Sequence, residues 1–163
     1  MATKKTAKKK TAAKKTAAKK TAAKKPYRFD TSQKLLERAI QVFAASPKVL
    51  ANSAIRAHIQ LGKLLRKQKK LEPATRHVRA ALNLASQHLG PRSYAYARSL
   101  AELAAVYVAQ NAKAHAAKLL RQSYDLVRQT FGASHPRTQR LRKKLVKLYR
   151  ALKWKKQEQG LPK

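Results

Sequence analysis

The sequence predicts an all-α fold: antiparallel helix pairs stacked as a short solenoid of about six helices, preceded by a basic, disordered N-terminal tail. Three observations predict it. From Thr31 onward apolar residues recur at helical spacing, and no segment alternates like a strand. Pro, Gly and Ser fall between the apolar stripes, where helices need caps and breaks. The stripes themselves repeat with an internal period of 42 residues.

The tail comes first. Residues 1–25 hold eleven lysines on a Thr-Ala-Ala-Lys-Lys repeat: Lys4, Lys5, Lys8, Lys9, Lys10, Lys14, Lys15, Lys19, Lys20, Lys24 and Lys25. Only Ala and Thr methyls are available to bury, and the lysines repel each other, so this segment is expected to stay disordered until bound. A five-residue period advances about 500° on a helix, which spreads the lysines over every face. Neither a membrane-surface helix nor an organelle presequence fits that pattern. The expected division is a tail over 1–30, a helical-repeat domain over 31–156 and a C-terminal tail over 157–163.

The helices follow in order. Leu35, Leu36, Ala39, Ile40, Val42 and Phe43 form one stripe over about 32–45. Ala54, Ile55, Ile59, Leu61, Gly62 and Leu65 form the next, over about 48–68. Further stripes predict helices over about 73–88, 93–110 and 113–130. Leu141, Leu145, Leu148, Tyr149 and Leu152 close the series over about 136–153. Ser46-Pro47, Pro73, Gly90-Pro91 with Ser93, and Gly132 with Ser134 and Pro136 supply N-caps, first-turn prolines and C-terminal glycines.

Six residue columns carry the 42-residue period. Leu61, Leu103 and Leu145 align, as do Gly62, Ala104 and Val146, and Leu65, Tyr107 and Tyr149. In the partner helices Leu36, Val78 and Leu120 align, with Ala39, Ala81, Ser123 and Ile40, Leu82, Tyr124. Small residues recur where helices approach closely and large ones where a gap needs filling.

The stretch from Leu100 to Tyr107, then Ala116, then Phe131-Gly132-Ala-Ser-His-Pro136 resembles the tetratricopeptide repeat. More closely it resembles the 42-residue variety typified by kinesin light chain. The resemblance covers residues 32–153 and implies a right-handed solenoid whose first helices line a concave surface. It also implies truncated repeats at both ends, through which copies of the chain are expected to be able to associate. The family's peptide-binding members usually carry Asn just before the Leu column. Here those columns read Ile59-Gln60, Ala101-Glu102 and Lys143-Lys144.

Catalysis is not expected. The six acids, Asp30, Glu37, Glu72, Glu102, Asp125 and Glu158, never share one helical face, and there is no Cys. Histidines at 58, 77, 88, 115 and 135 match no metal-ligand spacing, so no metal and no cofactor is expected. The four glycines never cluster into a phosphate loop. Tyr107, Tyr124 and Tyr149 fit core packing, and Trp154 is expected to pack on the end helices.

Charge is the informative feature. Lys and Arg number 40 against 6 Asp and Glu, for a net charge of +34. Setting the tail aside, the body keeps 29 basic residues against all six acids. The charge follows the repeat, since Arg56, Arg98 and Arg140 are spaced 42 and 42, as are Lys34, Arg76 and Lys118. By the resemblance, the concave-lining set of the first repeat is Arg56, Ile59, Lys63, Arg66 and Lys67. The middle set is Arg98, Ala101, Ala105, Val108 and Ala109, and the last Arg140, Lys143, Lys147, Arg150 and Ala151. Lys144 joins the basic cluster of the last helix, which carries no acid.

The first functional reading is a non-enzymatic, sequence-tolerant nucleic-acid binder, histone-like in its Lys/Ala tail, in which tail and body neutralise phosphates of DNA or RNA. It is expected to be intracellular and associated with nucleic acid. The alternative is an adaptor whose basic groove takes an acidic peptide or protein. No apolar run is long enough to span a bilayer, so no integral membrane protein is expected.

Overall fold

The structure, a computed structural model, describes residues 27–45 and 47–161. All eleven tail lysines lie outside the described residues, as do Pro26, Ser46 and the side chains of Tyr27, Arg28 and Phe29. The chain divides into two units, Met1–Ser32 and Gln33–Lys163, and the second carries the repeats.

Seven helices are described: α1 (Tyr27–Ala44), α2 (Pro47–Lys67), α3 (Leu71–Leu89), α4 (Tyr94–Ala109), α5 (Lys113–Phe131), α6 (Pro136–Ala151) and the short α7 (Lys155–Gln159). No strand occurs among the described residues. Each helix from α2 to α6 packs on its successor, and α2 also touches α4, so consecutive hairpins stack as a solenoid. Six of the seven stand where periodicity places them. The helix α1 starts earlier than expected, α3 starts at Leu71 rather than at Pro73, and α7 is an addition. Pro73 is tolerated in the first turn of α3 because a missing N–H there costs no intrahelical bond.

The 42-residue period extends to the turns. Lys69, Asn111 and Lys153 all have φ near +60° (62°, 63° and 57°). After each first helix the same backbone bond closes the end. Lys70 N donates to Leu65 O, Ala112 N to Tyr107 O and Trp154 N to Tyr149 O, each at 2.9 Å. These are six-to-one Schellman bonds, which need one left-handed residue. The second turn of each repeat uses glycine instead, at Gly90 and Gly132, with φ of 84° and 86°. Ser93 caps α4 by accepting from Tyr96 N at 3.2 Å. His135, rather than Ser134, caps α6, its Nδ1 accepting from Arg137 N at 3.1 Å.

The core follows the columns. Leu61, Leu65, Val78, Leu103, Leu120 and Leu145 are buried, as are Ala81 and Ser123. Three apolar clusters run along the stack, centred on Ile55 and Ile59, on Leu61 with Val78, and on Leu120 with Leu145. Two expected core residues are only half-buried. Leu82 packs at the margin of the middle cluster. Tyr107 lies between two clusters and keeps its hydroxyl at the surface, where it accepts from Arg79 Nη2 at 2.8 Å. Trp154 does pack at the C-terminal end, its ring 6.0 Å from that of Tyr149. Leu161, beyond α7, is buried in the same cluster.

Candidate binding groove

The helices α2, α4 and α6 are the first helices of successive repeats, so equivalent side chains return to the same side of the stack. Between α4 and α6 a cleft of about 280 Å³ opens, floored by Ser123 and Val127 of α5. Its walls carry Tyr94, Arg98, Ala101 and Glu102 from α4, and Arg137, Arg140, Leu141 and Lys144 from α6, while Lys63 reaches in from α2. Five cations thus surround one carboxylate. That carboxylate is already taken, because Lys63 Nζ lies 3.2 Å from Glu102 Oε1.

Buried packing holds the floor. Ser123 Oγ donates to Ala97 O at 2.7 Å, locking α5 against α4. At one rim Arg137 is held by aromatic faces rather than by an acid. Its guanidinium carbon lies 4.6 Å from the Tyr94 ring centre and 5.0 Å from that of Phe131. The two rings meet edge to face at 5.2 Å. A cation over aromatic faces keeps its hydrogen-bond donors for an anion.

The expected site residues divide. Lys63, Arg98, Arg140 and Lys144 line the cleft. Arg56 and Lys67 are exposed on α2, and Arg66 is half-buried with Nε unpartnered, so none of the three lines it. Lys143, Lys147 and Arg150 line a different cleft of about 330 Å³, with Arg142 and Val146. Ile59 is not a lining residue at all; it is fully buried, with Ala95 and Tyr96 at the start of α4 packed against its cluster. The three-arginine ladder therefore contributes two members to the cleft. Sequence reasoning missed Arg137, Tyr94 and the Lys63–Glu102 pair. The six-residue separation of Phe131 from Arg137 across Gly132 and Pro136 was the one local signal for the aromatic clamp.

Elsewhere, Arg121 Nε donates to both oxygens of Asp125, at 3.1 and 2.9 Å, and this bond raises the arginine's pKa. No group of three or more metal-ligating side chains gathers among the described residues. No described helix is long and apolar enough to cross a membrane.

Residues 53–129 match the family model of the tetratricopeptide repeat. No curated protein matches the chain. Among solved structures, the fold is similar to a single-substitution variant of a kinesin light chain from Podosopora anserina with nearly identical TPR-like repeats. That superposition has a TM-score of 0.65 at 19% identity, covering 74% of this chain and 57% of the other. It is also similar to BtubC (BKLC) from P. vanneervenii, with a TM-score of 0.66 at 15% identity, covering 81% and 52%. The Podosopora anserina protein without the substitution superposes with a TM-score of 0.56 at 17% identity, covering 78% and 68%. The chain spans little more than half the length of the first two. At these identities the likeness is one of fold: a TPR-like helical solenoid.

Proposed function

We propose that the chain is a non-enzymatic adaptor whose cleft between α4 and α6 grips an acidic segment of a protein partner. The observation that carries this reading is the charge count of the cleft. Lys63 and Glu102 satisfy each other, which leaves Arg98, Arg137, Arg140 and Lys144 around an open, partly apolar floor with no carboxylate left to answer them. Arginine forks suit carboxylates, and the half-buried Tyr94 and Ala101 offer contact area between the charges. The tetratricopeptide match over 53–129 favours a protein ligand in this cleft over the nucleic-acid reading that charge alone suggests.

The test compares two charge reversals against a fluorescent Glu/Asp-rich peptide. Arg98→Glu with Arg140→Glu, inside the cleft, should weaken binding about tenfold or more, since truncating or opposing a close charge pair costs about 2 kcal/mol or more. Lys34→Glu with Lys118→Glu, both exposed on α1 and α5, should change it by less than about twofold. Equal losses from the two pairs would show that the peptide sees only net charge and would remove the cleft from the account.

A further inference from the structure

The helix α6 is basic on both flanks, and the adaptor cleft uses only one of them. Its sixteen residues include Arg137, Arg140, Arg142, Lys143, Lys144, Lys147 and Arg150 and no carboxylate. Arg137, Arg140 and Lys144 turn into the cleft beside α4. The other four surround the second cleft with Val146 at its base. Of these four, only Arg150 reaches a carboxylate among the described residues, Glu158 at 2.7 Å. Arg142 is half-buried and its Nε has no partner.

This flank differs in chemistry from its counterparts in the earlier repeats. In the 42-residue register Lys143 corresponds to Ala101 and Ile59. Ile59 is buried where α4 begins, and Ala101 is half-buried beside α6. Where the earlier repeats carry apolar residues at this position, α6 carries charge.

We propose that this outer flank of α6 binds the sugar–phosphate backbone of duplex nucleic acid, independently of the cleft. A rise of about 1.5 Å per residue places Lys143, Lys147 and Arg150 roughly 6 and 4.5 Å apart along the helix. Each strand of a duplex supplies a phosphate about every 3.4 Å along its axis, a closer spacing than that of the cations, so each cation has an anion within reach. With Arg150 paired to Glu158, Arg142, Lys143 and Lys147 remain as like charges that repel each other on one surface, and a polymer of closely spaced anions relieves that repulsion as it releases counterions. The lining offers ammonium and guanidinium groups and one valine, and cations that contact phosphate oxygens set position on a duplex without reading its bases. Binding is therefore tolerant of sequence.

The experiment measures anisotropy of a labelled mixed-sequence DNA duplex with the full chain over a salt series. Lys143→Glu with Lys147→Glu is compared with the exposed pair Lys34→Glu with Lys118→Glu, which makes the same change in net charge. The end-flank pair should lower duplex affinity at least about tenfold more than that control. It should also flatten the log–log salt slope by about 2, because each lost phosphate contact contributes about 0.9. Its affinity for the acidic peptide should stay within about twofold, while Arg98→Glu with Arg140→Glu should show the reverse pattern. Circular dichroism checks that each variant folds, and Lys143→Gln with Lys147→Gln provides a milder version of the same test. Three results overturn the proposal: no duplex binding at low salt, identical losses from the end-flank and control pairs, or displacement of the duplex by the acidic peptide. Failure of the cleft pair alone would count against the adaptor reading and leave this one standing.

Discussion

His58 and His77 face each other across α2 and α3 with their Nδ1 atoms 3.2 Å apart, a contact that one shared proton satisfies and two disrupt. Burial, and then the charge of His77, push the His58 pKa down to about 4. Burial also lowers His77, with Glu37 opposing the shift and Arg76 adding to it. Folded values below the ordinary one near 6.5 mean that the unfolded chain takes up protons first on acidification. Stability is fully present above about pH 6.5 and should drain away as pH falls towards 4. Melting temperatures at pH 7.5 and 5 should show this drop in the parent chain and a smaller one in His58→Gln; parallel drops would assign the effect to other groups. Ser123 is a second residue whose chemistry matters beyond its size. It is fully buried, and Ser123→Ala removes its hydrogen bond between α5 and α4, for an expected loss of about 1 kcal/mol in urea unfolding.

At the scale of the helix and its turns, two of the three left-handed residues make opposite predictions. Lys69 carries a Cβ that the left-handed region disfavours, so Lys69→Gly should stabilise by about 0.5–1 kcal/mol after glycine's own entropy cost. Asn111 tolerates that region better, so Asn111→Ala should destabilise by a similar amount. Denaturation midpoints that move together would show that the turn geometry is not what matters. Helix packing makes a sharper prediction at Gly62. A Cβ there would collide with Val78 Cγ2 and sit 3.4 Å from Ala74 O. Overpacking by about 1–3 kcal/mol should outweigh the gain of up to about 1 kcal/mol in helix propensity. Gly62→Ala should therefore lower stability, and adding Val78→Ala should reduce that loss below the sum of the two single changes. In the next repeat the corresponding columns hold Ala104 and Leu120, a pair that does accommodate a methyl group.

For the molecule as a whole, +34 net charge means that like-charge repulsion opposes the compact state at low ionic strength. Raising salt from about 10 mM to 0.3 M shortens the screening length to below about 10 Å and should raise the melting temperature. A fall on adding salt would indicate that ion pairs such as Lys63–Glu102 outweigh the repulsion. Repulsion is expected to dominate, because three ion pairs are formed among the described residues, all of them partly exposed. The same excess charge is divided by α6 into two surfaces, one inside the cleft and one at the end of the stack.

The helices, their order and the repeat were legible in the sequence because each rests on local chemistry: apolar spacing, prolines, glycines and a period that returns equivalent residues to equivalent places. Leu61, Leu103 and Leu145 could be assigned to the core from spacing alone, since burial of a large aliphatic column is what makes a repeat stack. The basic character of the cleft was legible too, through Arg98, Arg140, Lys63 and Lys144. Its membership was not. Equivalent positions in a repeat share a backbone direction but not a neighbour, so Ile59, Ala101 and Lys143 end respectively buried, on the cleft wall and on the outer flank. The pairing of Lys63 with Glu102, the aromatic clamp on Arg137 and the meeting of His58 with His77 join residues from different helices. Periodicity reports which face of a helix a residue occupies; only the packed structure decides which helix stands opposite that face, and with it which charges are answered and which remain open.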